Sequence, residues 1–159
     1  MTDTTIHEAL SSAVSDVLER MFFLEILGEV AEPPPEPESV TVRVSFDGDP
    51  PGCFQMRIAR PAANAVAADF LGEDAESLTD RQSTDVTLEL ANMICGAVLS
   101  RIESRAAFRL GSPQIVTDET GESASAEETR CTVDTGSGPL TAVIRMETRT
   151  CLPIEESAS

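Results

Sequence analysis

The chain has 159 residues, a hydrophobic content of 41% and a formal charge of −17. That length buries one hydrophobic core and is short for two ordinary domains, so a single domain over 1–159 is expected, frayed at 1–4 and 152–159. All eleven basic residues are arginines set against 28 acids, and such a surface repels phosphate backbones and anionic lipid heads, which excludes nucleic acid and membrane as partners.

In chain order, Ile6, Leu10, Val14, Val17, Met21 and Leu24 recur at helical spacing behind a Thr5/Glu8 capping box, predicting a helix over about 5–28 that Gly28 stops. AEPPPEPES at 31–39 reads as a stiff connector, because proline fixes φ and removes donors. Val40, Val42, Val44 and Phe46 alternate with polar residues, DGDPPG at 47–52 turns the chain, and Phe54, Met56 and Ile58 alternate again. That pattern is an antiparallel hairpin. Pro61 opens a second helix to about Leu71, which Gly72 ends. Thr79 and Gln82 form a capping box ahead of a long helix reaching about Ser104. Four more strands follow, at Ala107–Leu110, Gln114–Thr117, Thr129–Asp134 and Leu140–Glu147, the last two joined by TGSGP at 135–139. The acidic, serine-rich 118–128 reads as a mobile loop and EESAS as a tail. The expected fold class is α+β, with a mainly antiparallel six-stranded sheet packed with about three helices.

No apolar run approaches the roughly 18–20 residues of a membrane span. The first thirty residues lack a basic segment leading into an apolar signal core, so a cytoplasmic location is expected. Cys53, Cys95, Cys131 and Cys151 show no CxxC spacing and the sole histidine is His7, so reduced, mostly buried thiols are expected and no metal site. Acidic residues are scattered, unlike a DxDxDG cation loop. There is no GxxxxGK[ST], no GxSxG and no lysine, which leaves carboxylates, amides and hydroxyls for any chemistry.

Placing residues 85–103 at about 100° per residue puts Asp85, Glu89, Asn92, Gly96, Ser100 and Glu103 in one narrow stripe. Apolar residues take nearly all the rest, so most of this helix is buried. An ordinary wet face is built from Lys, Arg, Gln and Glu, yet Asn92 and Gly96 occupy its middle, each worse than alanine in a helix by about 0.5–1 kcal/mol. A glycine one turn past a carboxamide leaves backbone bare for a close approach.

The segment Asp85-x3-Glu89-x2-Asn92, continuing as ELANMICGAVLSR and followed by Pro113, resembles the active-site signature of the CheC/CheX/FliY chemotaxis phosphatases, closest to the single-centre CheX-like branch. The resemblance implies a CheC-like fold and a protein that dephosphorylates a CheY-like response regulator. Asn92 would orient the attacking water and Glu89 would pair with the receiver's lysine. Asp85 and Gly96 would meet the partner, and Pro113 would shape the loop beside the site. The Mg²⁺ belongs to the partner receiver, so no cofactor of the chain's own is implied, and a homodimer is. Some relatives carry a second centre on a related helix; here EALSSAVSDVLERMFF offers no Glu-x2-Asn, so one centre is expected. The alternative is a non-catalytic module of the same fold that scaffolds a receiver or a flagellar-switch component.

Overall fold

In the computed structural model of the chain, residues 3–22, 26, 28–29, 38–48, 51–102, 108–116 and 126–147 are described. Helix α1 (Asp3–Asp16) runs into a π-helical turn (Val17–Met21), and strands β1 (Gly28–Glu29), β2 (Ser39–Asp47) and β3 (Gly52–Ala59) follow. Helix α2 (Arg60–Leu71), a 3₁₀ turn (Ala75–Ser77) and helix α3 (Asp80–Ser100) come next. Strands β4 (Arg109–Leu110), β5 (Gln114–Ile115), β6 (Ala126–Asp134) and β7 (Pro139–Glu147) complete the order.

All strand pairs are antiparallel, in the order β1-β6-β7-β3-β2-β4, with β5 also on β2. Phe46 faces Leu110 across β2–β4, whereas Val42 faces Ile115 across β2–β5, so the register slips by one residue between the two. β4 and β5 are thus one edge strand broken by a bulge at Gly111–Pro113. Counted so, the sheet is six strands wide beside three α-helices, an α+β fold.

The alternation read from the sequence is the burial pattern: Val40, Val42, Val44, Phe54, Met56 and Ile58 are buried on the face that carries the helices. Their burial removes apolar surface worth about 1.5–3 kcal/mol for each fully covered large side chain. Pro61 lies in the first turn of α2, and Gly72 closes it in the left-handed conformation with its N–H on the Ala68 carbonyl.

Exchanging β1 with β4, β2 with β6 and β3 with β7 turns the strand order into its own reverse. The helices obey the same exchange, since α1 packs on β6 and α3 packs on β2. Along α1 and α3, buried positions match at a constant offset: Ala9 with Leu90, Leu10 with Ala91, Ala13 with Ile94, Val14 with Cys95, Val17 with Val98. The fold is an internal twofold repeat.

Several expectations need correction. The first helix starts at Asp3 and ends by Met21, so Thr5 lies inside it and Gly28 belongs to β1. Phe22 ends it because its ring is fully buried and stacks on Phe70, with centroids 4.8 Å apart. Residues 126–128 are strand, held opposite β7, where Glu128 accepts from Arg130 and Arg145. The proline-rich 31–37, most of the acidic stretch and the tail lie outside the described residues. No helix among the described residues is long and apolar enough to cross a membrane.

Candidate functional site

Helix α3 is fixed at both ends. Its first turn is closed by reciprocal bonds, the Gln82 N–H donating to Thr79 Oγ1 at 3.1 Å and the Thr79 N–H to Gln82 Oε1 at 2.9 Å. Ser83 Oγ donates to Asn64 Oδ1 of α2 at 2.8 Å. Just past the last turn, Arg101 donates to the Ala97 carbonyl at 2.9 Å and to Asp16 of α1 at 2.5 Å. The rod between these ties rests on the sheet through Val86, Leu90, Ile94 and Val98, all buried.

What faces away is the expected stripe. Asp85, Glu89 and Ser100 are exposed, and Asn92 and Gly96 are partly exposed. Asp85 sits 4.0 Å from Arg81, one turn earlier, with both side chains mostly in solvent, so the contact barely restrains the carboxylate. Among the described residues, neither the Glu89 carboxylate nor the Asn92 carboxamide has a hydrogen-bond or ion-pair partner. A carboxylate and a neutral amide one turn apart, held by a rigid helix and uncommitted to their own chain, can engage a foreign cation and a foreign water together.

The opposite side of the same helix is chemically silent. Burial, with a smaller contribution from Cys53, pushes the Cys95 thiol up to about 12, so it is no nucleophile at neutral pH. Among the described residues, no three His, Cys, Asp or Glu side chains gather as a metal site.

A Cβ on Gly96 would lie 3.9 Å from Leu110 Cδ2, an ordinary contact. Leu110 of β4 therefore borders the stripe one turn beyond Asn92. Pro113 stands in the bulge between β4 and β5, partly buried, on the edge strand that flanks α3. The structure thus brings Glu89, Asn92, Gly96 and Leu110 onto one surface, with Asp85 a turn earlier on it. Leu110 escaped the sequence reading, because alternation identifies a strand without saying that it is an edge. By the internal repeat, α1 sets Glu8, exposed, and Ser11, partly exposed, in the places of Glu89 and Asn92, so the second position carries a hydroxyl where α3 carries a carboxamide.

The family model described as "Chemotaxis phosphatase CheX" matches residues 40–135. Among solved structures, the chemotaxis protein CheX from Vibrio vulnificus is similar with a TM-score of 0.74 and 18% identity, over 92% of this chain and 99% of that one. CheX in a complex with CheY, BeF3 and magnesium from Borrelia burgdorferi is similar with a TM-score of 0.69 and 16% identity, over 89% of this chain and 97% of that one. FliY from Thermotoga maritima is similar with a TM-score of 0.57 and 12% identity, over 92% of this chain and 89% of that one. No curated protein sequence matches.

Proposed function

The chain belongs to the chemotaxis phosphatase CheX family, and on that premise we propose that it hydrolyses the aspartyl-phosphate of a CheY-like response regulator in the cytoplasm. In this reading Asn92 enters the receiver's site and aligns the attacking water, its Oδ1 accepting from the water O–H. Glu89 pairs with the receiver's lysine and fixes the docking. The water oxygen forms the new bond to phosphorus, the bond to the aspartyl oxygen breaks, and inorganic phosphate and the free carboxylate leave. Phosphoryl transfer asks for positioning and charge stabilisation, and a neutral amide supplies the first without repelling phosphoryl oxygens. The receiver's own Mg²⁺ supplies the charge.

The observation that carries the reading is the uncommitted Glu89–Asn92 pair on the one open stripe of a buried, doubly anchored helix. The Borrelia relative, similar in fold, is seen with CheY, which supports a receiver as the guest. Asp85 extends the acidic contact, Gly96 lets the partner's backbone come close, and Pro113 shapes the bordering loop. A homodimer is part of the same proposal; light scattering at the concentration of the assay decides it, and a monomer mass would remove it.

The competing role for this fold is a scaffold that binds a receiver without turnover. Phosphate release from a phosphorylated CheY-type receiver, compared between the wild-type chain and Asn92→Ala, separates the two. The phosphatase reading expects a loss of roughly 100-fold or more, and equal rates would sink it.

A further inference from the structure

The stripe of α3 is bordered by two large apolar side chains that the hydrolysis does not use, Leu110 and Ile115, 36% and 40% exposed. Leu110 faces Phe46 and Ile115 faces Val42 across the edge of the sheet. Directly opposed residues share a face, and Phe46 and Val42 are buried toward the helices, so both edge residues project on the side where α3 lies. α3 starts near the Ala59 end of β3, where Ser83 bonds Asn64, and passes Leu110 at Gly96. Ile115 lies back along β2 toward the start of α3, by about 13 Å at 3.3 Å per residue. The two apolar groups therefore bracket the Asn92 segment along its open flank.

The edge itself is not built to receive another strand. Its register is broken at Gly111–Pro113, and proline and bulges are the usual means of blocking strand addition. A second copy is also opposed by charge, since it would bring a chain of net charge −17 against Asp85 and Glu89. A stable protein docking site covers about 800 Å² on each partner, a patch roughly 30 Å across. Any globular guest that reaches Asn92 must then cover Leu110, one turn away.

Resting on the phosphatase reading above, we infer that Leu110 and Ile115 are the apolar anchors of the receiver's docking site. The receiver contributes an apolar patch beside its phosphorylated aspartate and its lysine. Glu89 and Asn92 meet the groups of the receiver's own chemistry, while Leu110 and Ile115 supply the apolar part of the docking.

The test titrates a CheY-type receiver, loaded with beryllium fluoride and Mg²⁺, into the wild-type chain, Leu110→Ser, Ile115→Ser and the double variant, and follows phosphate release in parallel. The double variant should raise Kd and KM by roughly tenfold or more while kcat is unchanged, and Leu110→Met alone should keep both near their wild-type values. Thermal melting verifies each fold, and should the double variant melt early, the two single variants carry the comparison. Unchanged Kd and KM overturn the inference. An Asn92→Ala chain of normal kcat overturns the phosphatase reading and leaves the binding measurement to judge the anchors. A wild-type chain that binds no receiver overturns both.

Discussion

Replacing Asn92 by aspartate changes one atom and tests whether the site needs an amide or merely a polar group. The Asn92 carboxamide is partly exposed and has no hydrogen-bond partner among the described residues, so an aspartate there breaks no contact. It would stand within about 4 Å of phosphoryl oxygens in the docked state. At an effective dielectric of about 20 that repulsion is about 4 kcal/mol, and because the phosphoryl charge is present before reaction as well as during it, kcat/KM falls by about three orders of magnitude. Glu89, one turn back on the same stripe, adds a like-charge pair costing about 0.2–0.5 kcal/mol of stability, so the melting temperature falls by about 1–2 °C at most. Alanine loses only the positioning of water, and the expected order of rates is wild type, then Asn92→Ala, then Asn92→Asp. Single-turnover loss of phosphate from a phosphorylated receiver, at sub-saturating chain so that the rate reports kcat/KM, gives the ranking. An aspartate variant faster than the alanine variant would refute the argument that neutrality is what position 92 supplies.

Thr79→Ala removes the side-chain half of the α3 capping box, the bond that Thr79 Oγ1 accepts from the Gln82 N–H, and should cost about 1 kcal/mol, or about 2–4 °C in melting temperature, with kcat unchanged because Asn92 is about 20 Å along the helix. Alkaline stability should report on Cys95, since the chain has no lysine and no tyrosine and only its other thiols and its amino terminus titrate in the same range. The folded thiol keeps its proton to about 12 against an ordinary 9.0, so the unfolded chain ionises first and stability falls as pH rises from about 9 to about 12, by up to about 4 kcal/mol. Urea melts across that range should show the slope, and Cys95→Ala should reduce it, the remainder belonging to the other thiols. Gly52→Ala would drive a Cβ into the Arg145 carbonyl of β7; backbone cannot yield as a side chain does, and chemical denaturation should show a loss of about 3 kcal/mol or more.

Features written in adjacent residues were legible in the sequence. The Thr79–Gln82 box, the Pro61 start and the Gly72 stop are local chemistry, and the hairpin strands follow from alternation that a buried face enforces. The early end of α1 was not legible, because Phe22 is turned inward by Phe70, far along the chain. β1 is two residues long and exists only through pairing with β6, which no local propensity announces. Residues 126–128 read as loop by their acidity, yet Arg130 and Arg145 make Glu128 at home in a strand and hold its carboxyl below the usual carboxylate range. At the candidate site, the stripe on α3 was readable from helical period alone. Its apolar border was not, since placing Leu110 beside Gly96 takes the whole course of the chain from α3 back to β2.

The exchange of helices across the repeat bears on how this molecule comes apart. α1 roofs the hairpin made late in the chain, and α3 roofs the hairpin made early. Neither half can peel away intact, for loosening one helix lays bare strands that the other half supplied. The expected consequence is a single cooperative transition with no half-melted species. The stripe that meets the receiver then shares the rigidity of the entire sheet, a foundation drawn from both ends of the polypeptide.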